Sequence, residues 1–362
     1  MGTVTGKRQR NGLLDFVKLV AIALVITNHI EWTSVNRHSF LFPFLIDMAV
    51  PVFLIISAYL RAKKTDNIGV WKNYTPQNLL TSFLGIFIPY VIAAVSEIII
   101  AERKYRLYDI FPAYRGSFSS ALKWFATGLS GPGSYYILIL LQLIILFPLI
   151  YLLFKKNKNS GLALCAVINV LYDAGVYCFD VDPGIYKFLI FRYILVIGFG
   201  IYLAKTDFSR KDDITAAVMF TLGALYVAVN MYIYPFPLFQ SWKSSSMLAA
   251  PYAYGIMYFL MKYLRNIKYR KIYVFGKATL HIYFVQMAYF AFNYQNFIRN
   301  KFGIHQSTRW NLINTVLSVI FCFAAGLLFY MIETRIRKLL FRGLRLEPKD
   351  KSDSTPHLAM KQ

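Results

Sequence analysis

Long apolar stretches alternate with short polar segments along almost the whole chain. An α-helix rises about 1.5 Å per residue, so about 20 apolar residues cross a hydrocarbon core about 30 Å thick. A window of that length predicts about ten membrane-spanning helices, with limits at 13–31, 43–60, 79–101, 135–154, 161–178, 186–204, 214–233, 247–264, 272–294 and 311–332. We therefore expect an all-α, polytopic membrane helix bundle, with one integral-membrane domain over residues 1–346. The polar residues 347–362 have the composition of a disordered cytoplasmic tail.

The composition agrees with a membrane protein. Of the 362 residues, 57% are hydrophobic and only 16% are charged, which is more apolar than a typical soluble domain. The formal net charge of +23 does not indicate nucleic-acid binding, because Lys and Arg form short clusters between the apolar stretches. Such clusters mark the cytoplasmic loops of membrane proteins. We expect a multi-pass protein of the cytoplasmic membrane that contacts membrane lipids, not nucleic acid, and has both termini in the cytoplasm.

The spacing of the cysteines and the absence of standard catalytic motifs argue against several kinds of chemistry. Cys165, Cys178 and Cys322 fall in apolar stretches without the spacing of metal ligands, so we expect them to be buried packing residues. The sequence contains no phosphate-binding loop, no nucleophile-elbow motif and no clustered acidic metal site. We therefore expect neither a metal ion nor a tightly bound cofactor.

The first apolar stretch contains Asp15, Lys18 and His29, and ionisable groups inside a membrane are costly and usually functional. On a helix, Lys18 and His29 project from one face, with an angular offset of about 20° and an axial separation of about 16 Å. Counted from Leu13, His29 lies about 24 Å into the membrane, nearer the far side. Histidine commonly acts as a general base at neutral pH, so His29 is the candidate base. The alternative is a core histidine hydrogen-bonded between helices.

Four residues are candidates for binding an anionic donor at the cytoplasmic mouth. Lys18 is the central cation, with Asp15 fixing it; it is alternatively a snorkelling lysine or only an ion-pair partner of Asp15. Arg61 and Lys72 are the secondary cations. Glu333 ends the last apolar stretch, where it either pairs with a basic group or is solvated at the helix end.

Four other residues are candidates for binding an acceptor. Arg192 lies near the outer end of its stretch, where it either binds an anionic lipid-linked sugar or snorkels. Tyr135 and Tyr136 either stack on a sugar or belong to the interfacial aromatic belt. Glu31 follows the candidate base towards the outer side, so we group it with them.

Several of these residues fall in segments that resemble the acyltransferase-3 family of integral-membrane O-acyltransferases. The hallmark Asp-x-x-(Arg/Lys)-x₁₀-His corresponds to Asp15, Lys18 and His29. Further matches follow in order along the chain: VPVFLIISAYL (50–60), GSYYILILLQLIILFPLI (133–150), FGKATLHIYFVQ (275–286) and IETRIRK (332–338). The chain departs from the pattern at Lys18, where Arg is commoner, and at Gln286, where a second His is common.

The resemblance implies an O-acetyltransferase that moves an acyl group, usually acetyl, from acetyl-CoA or another acyl-CoA to a hydroxyl. The implied acceptor is a cell-surface or lipid-linked glycan. We expect His29 to activate the hydroxyl for direct attack on the donor; a transient acyl-histidine is the alternative route. A transporter or flippase for lipid-linked glycans is the alternative function, in which the buried charges would line a path. A membrane scaffold or sensor is a third possibility.

Overall fold

A computed structural model describes residues 12–104, 125, 131–233, 246–264, 272–292, 299–305 and 307–343. The predicted tail over 347–362 and most of the predicted outer loop over 102–133 lie outside these residues. Within the described ranges the chain forms helices and turns without β-strands. The predicted all-α fold class is confirmed.

The described helices are labelled in chain order. They are α1 (Gly12–Asn28), α2 (Ser34–Ser39), α3 (Phe42–Leu45), α4 (Ala49–Ile68), α5 (Val70–Asn73), α6 (Pro76–Lys104), α7 (Tyr135–Leu153), α8 (Lys158–Cys178), α9 (Pro183–Phe188), α10 (Ile194–Ala204), α11 (Arg210–Ala228), α12 (Ala250–Leu264), α13 (Tyr273–Ala291) and α14 (Thr308–Gly343). A 3₁₀ turn over Ile190–Tyr193 leads into α10, and a π-helical turn over Val229–Ile233 follows α11.

Six helical stretches in the described residues are long and apolar enough to cross a membrane. They are Phe42–Ile68, Pro76–Glu97, Tyr135–Leu153, Lys158–Cys178, Arg210–Ile233 and Thr308–Gly343. The other four predicted spans coincide with α1, α10, α12 and α13, which do not meet the same requirement. A polytopic membrane bundle is therefore confirmed, whereas the number of ten spans is not.

Two helices extend beyond the limits predicted from hydrophobicity. Helix α4 continues to Ile68 instead of ending near residue 60, because Ala62 and Thr65 keep one face of its basic end buried. Helix α14 continues to Gly343 instead of ending near residue 332, with Glu333 fully buried on its inner face. Charged residues that the hydrophobic pattern assigned to loops therefore lie on helices.

The predicted span 186–204 is broken into α9, the 3₁₀ turn and α10. The Gln142 amide of α7 stabilises the break: its Nε2 donates to Phe188 O at 2.6 Å, and its Oε1 accepts from Ile190 N at 3.0 Å. These bonds satisfy backbone groups that a membrane would leave without water. All residues of α10 are buried, so this short helix lies at the centre of the bundle.

Small residues allow α10 to pack closely against α4, as is common between membrane helices. A Cβ atom added at Gly200 would lie 2.5 Å from Ile55 O and 2.6 Å from the Ala58 Cβ. Cys165 and Cys322 are buried as predicted, but Cys178 is exposed because it ends α8. The prediction of a buried packing role is wrong for Cys178.

Polar contacts join the helix ends into two groups. One group links segments predicted to be inside the cell: Lys158–Asp212 at 2.8 Å, Lys205–Asp66 at 3.1 Å and Lys262–Asp213 at 2.5 Å. The other links segments predicted to be outside: Glu31–Arg299 at 3.1 Å, Asn36–Thr308 at 3.1 Å and Tyr232–His38 O at 3.0 Å. The bundle thus has two ends that match the predicted alternation of inner and outer segments.

Candidate active site

A cavity of about 430 Å³ lies between α1, α4, α6, α7 and α13. Its basic lining residues are Lys18, Arg61, Lys64 and Lys277; the other lining residues are Phe53, Ser57, Leu60, Ile86, Tyr136, Leu140, Gly276, Thr279, Leu280 and Tyr283. No acidic residue is among the described residues that line it. We call this space the basic cavity.

Helical spacing explains how α4 contributes to the basic cavity. Phe53, Ser57, Arg61 and Lys64 follow one another at intervals of four, four and three residues. An α-helix has 3.6 residues per turn, so these positions share one face. The stripe is visible in the sequence. The hydrophobic pattern nevertheless places Lys64 in a loop, because the predicted span ends at residue 60.

Helix α13 contributes a second stripe, from the FGKATLHIYFVQ segment. Gly276, Thr279, Leu280 and Tyr283 also share one helix face. Lys277 adds a cation at the start of the helix. The segment resembles a family motif, but its sequence alone does not mark Lys277 or Tyr283 as site residues.

The Asp15–Lys18 ion pair expected from the sequence is present. Lys18 Nζ lies 2.8 Å from Asp15 Oδ1 and donates to Gly276 O at 3.3 Å. Asp15 is buried against α13, where a Cβ atom at Gly276 would lie 2.5 Å from the Asp15 Cβ. Asp15 and Gly276 therefore hold the ammonium at the wall of the basic cavity.

His29 is the first residue after α1, so the first span ends earlier than predicted. Its ring packs edge-on against Phe290, with centroids 5.7 Å apart. A Cβ atom placed on Gly133 would lie 3.9 Å from His29 Nε2 and 2.8 Å from the Tyr283 hydroxyl oxygen. Tyr283 lines the basic cavity, and its hydroxyl donates to Gly133 O. His29 therefore lies next to the end of the basic cavity.

Gly133 makes this approach possible. Its φ of +85° is in the region that favours glycine. Any larger residue there would also project a side chain between His29 and Tyr283.

The acyltransferase domain family model matches residues 11–342. The chain belongs to the acyltransferase-3 family. No curated protein and no solved structure matches it. The resemblance drawn from short motifs is thus confirmed over nearly the whole chain, and the protein is a membrane acyltransferase.

Two of the four residues expected to bind the donor in this acyltransferase do not line the basic cavity. Lys72 lies exposed on α5. Glu333 is fully buried: its Oε2 lies 3.1 Å from His281 Nε2, and its Oε1 lies 3.3 Å from Arg337 Nε. The pairing of Glu333 with a basic group is present, and its role in donor binding stays a prediction.

The four residues assigned to the acceptor lie in different places. Glu31 is exposed and paired with an arginine at the outer end. Tyr136 lines the basic cavity. Arg192 is buried over the Tyr186 ring, 4.5 Å from its centroid. Tyr135 stacks on Tyr193, at 6.3 Å between centroids, and Arg192 lies 5.4 Å from that same ring. Among these four residues, the structure brings Tyr135 and Arg192 together at the Tyr193 ring.

A metal centre has no support in the described part of the acyltransferase. Those residues contain no group of three or more His, Cys, Asp or Glu side chains placed to hold a metal ion. The polar groups that the basic cavity and its end present to a substrate are a histidine, lysines, an arginine and hydroxyls.

Proposed function

We propose that this acyltransferase moves an acyl group, in the first place acetyl, from cytoplasmic acyl-CoA to a hydroxyl of a cell-surface or lipid-linked glycan, with His29 as the general base. One observation carries the proposal. Tyr283, which lines the basic cavity, donates a hydrogen bond to Gly133 O, and His29 Nε2 adjoins the same glycine.

The basic cavity suits the phosphate groups of CoA. Lysine and arginine bind phosphate through charge-assisted hydrogen bonds, which are stronger than neutral ones. The cavity volume of about 430 Å³ lies within the usual range for small-molecule sites. Its described lining contains four cations and no acidic residue. Lys18, oriented by Asp15, is the cation that we expect to contact the donor most directly.

The aromatic wall of the cavity gives the rest of the donor a path towards His29. The Tyr136 ring lies 5.4 Å from the Tyr283 ring and 6.1 Å from the Phe53 ring, measured between centroids. These rings continue from the cationic wall to the Gly133 turn. In this arrangement the phosphates stay among the cations while the thioester approaches His29.

The reaction we infer is a direct transfer. The acceptor oxygen attacks the thioester carbon while His29 removes the hydroxyl proton. The carbon–sulfur bond then breaks, and the CoA thiolate leaves and is protonated by the imidazolium or by solvent. A positioned general base typically contributes about 10²- to 10⁴-fold to such a step.

The acceptor approaches from the end of the bundle opposite the lysine clusters. His29 lies in the same short segment as Glu31, which pairs with Arg299 at that end. Lysine clusters mark the cytoplasmic end. Donor and acceptor would thus meet from opposite sides of the membrane.

The proposal is tested with protein purified in detergent, acetyl-CoA labelled in the acetyl group, and surface glycan from the source cells freed of esters by mild alkali. We expect CoA thiol to be released and the label to appear in the glycan as an alkali-labile ester. A transporter or flippase would leave the thioester intact. Absence of thioester cleavage by folded protein would contradict the proposal.

A further inference from the structure

The Tyr283 hydroxyl occupies the boundary between the basic cavity and His29. Its ring belongs to the cavity wall and is buried. Its hydroxyl reaches from α13 to Gly133 O, in the turn before α7. A donor that fills the cavity and extends towards His29 must therefore pass this hydroxyl.

Tyr283 and His29 both lie beside Gly133. The position of a missing Cβ on Gly133 is 2.8 Å from the Tyr283 oxygen and 3.9 Å from His29 Nε2. A site for acyl transfer needs a base near the attacking hydroxyl and a hydrogen-bond donor near the carbonyl oxygen that becomes negative. The neighbourhood of Gly133 contains both kinds of group.

The other hydroxyl groups in the described cavity lining are already used elsewhere. The Ser57 and Tyr136 side chains lie close enough to interact with each other. Thr279 Oγ1 donates to Gly276 O at 3.1 Å within its own helix. Among these hydroxyls, that of Tyr283 is the one bonded to the Gly133 turn.

We propose that Tyr283 is a further catalytic residue whose hydroxyl leaves Gly133 O and donates a hydrogen bond to the thioester carbonyl oxygen of the acyl donor. This inference rests on the proposed function. The hydrogen bond strengthens as the carbonyl oxygen becomes an oxyanion, and no proton is transferred from the phenol. His29 takes the proton of the attacking hydroxyl, and the sulfur leaves with the electrons of the carbon–sulfur bond.

The first test compares Tyr283→Phe with Tyr289→Phe. Both changes remove one hydroxyl from α13, but Tyr289 bonds to Ser318 and does not line the basic cavity. Loss of one oxyanion donor typically lowers kcat by about 10²- to 10³-fold. We expect that loss for Tyr283→Phe, with acetyl-CoA affinity lowered by no more than about fivefold, and wild-type kcat for Tyr289→Phe. Wild-type kcat in folded Tyr283→Phe would overturn the inference, as would equal losses in both variants.

The second test measures binding without turnover. One probe is the ketone isostere of acetyl-CoA, in which a methylene replaces the sulfur; the other is S-ethyl-CoA, which lacks the carbonyl. A neutral hydrogen bond contributes about 1 kcal/mol, so wild type should bind the ketone about fivefold more tightly. Tyr283→Phe should bind both probes equally, and Tyr289→Phe should keep the preference.

The outcomes separate the two proposals. If wild type binds the probes and transfers acetyl, but Tyr283→Phe keeps both its kcat and its preference for the ketone, only the role of Tyr283 is refuted. If wild type binds neither probe and cleaves no thioester, the proposed function and the role of Tyr283 both fail.

Discussion

Two cavities in this molecule differ in volume and in the charge of their linings. The basic cavity carries four cationic side chains and no acidic one in its described lining. A larger cavity of about 790 Å³, between α8, α10 and α11, is lined by both signs of charge. We call it the mixed-charge cavity; its charged residues are Lys158, Lys211, Asp207 and Asp212. Volume alone would favour the mixed-charge cavity as a ligand site, whereas charge favours the basic cavity for a polyanion.

The charges of the mixed-charge cavity hold helices together. Lys158 Nζ lies 2.8 Å from Asp212 Oδ1 and so links the start of α8 to the start of α11. Asp212 also forms a capping box with Ser209, which satisfies backbone N–H groups at the start of α11. In the basic cavity, by contrast, Asp15 fixes Lys18 from behind the wall. The comparison teaches that ion pairs inside a lining mark structural cations, and a lining of cations without acids marks an anion site.

The largest expected effect comes from removing His29, the proposed base. His29→Ala should lower kcat by about 10²- to 10⁴-fold, because general-base catalysis is lost. Acetyl-CoA affinity should be retained, because the cations lie on the cavity wall and are unchanged. Steady-state thiol release and equilibrium binding of CoA measure the two quantities. A folded His29→Ala protein that transfers acetyl at the wild-type rate would make the imidazole a packing group.

A smaller effect is expected when one lysine is removed from a cavity, and this effect should differ between the two cavities. Lys18→Met should raise the KM for acetyl-CoA by about tenfold, because a hydrogen bond to a charged group contributes about 1.5 kcal/mol or more. Lys18→Arg should retain activity, because it keeps the charge. Lys211→Met is the matched control, since it removes an exposed lysine from the mixed-charge cavity. Equal KM changes for Lys18→Met and Lys211→Met would remove the distinction between the cavities.

The smallest effect on turnover is expected at His281, which is buried. His281→Gln should leave kcat per folded molecule unchanged, because His281 contacts Glu333, Phe329 and Tyr330 and does not line the basic cavity. It should destabilise the fold by about 1–3 kcal/mol, because the buried Glu333 carboxylate loses a partner.

Stability is measured by heating the protein with a fluorogenic thiol reagent that reports exposure of the buried Cys165 and Cys322. Both wild type and variant should carry Cys178→Ser, since Cys178 is already exposed. A kcat loss in His281→Gln that matches that of His29→Ala would show that the two histidines are not distinct in role.

The helical fold class and much of the first helix of the site can be predicted from the sequence. Apolar runs of membrane length locate the spans, and the spacing of Asp15 and Lys18 places them on one helix, with His29 directly after its end. The helical spacing of the cavity-lining residues on α4, which include Lys64, is also visible in the sequence. A hydrophobicity window misses it because the window ends at the first charged residue. The window fails there because burial of Ala62 and Thr65 depends on neighbouring helices.

The contacts that make the site could not be predicted from local pattern. Gly133 meets His29 and Tyr283 from a segment more than 100 residues away in the chain. Likewise, Gly276 packs against Asp15 across most of the sequence. The break before α10 depends on Gln142, whose polarity is visible in the sequence but whose partners are not.

Transfer across the membrane is the central claim, and vesicles with one-sided substrates test it most directly. The orientation of the protein in the vesicles is determined with Asn67→Cys, which places a thiol at the exposed end of α4 that is predicted to be cytoplasmic. This variant also carries Cys178→Ser, and it is labelled with an impermeant thiol reagent. Acetyl-CoA is supplied only on the side of residue 67, and de-esterified surface glycan on one side or the other. We predict acetylated glycan when the acceptor is on the opposite side from acetyl-CoA. Product formed only when both substrates share one side would contradict the account.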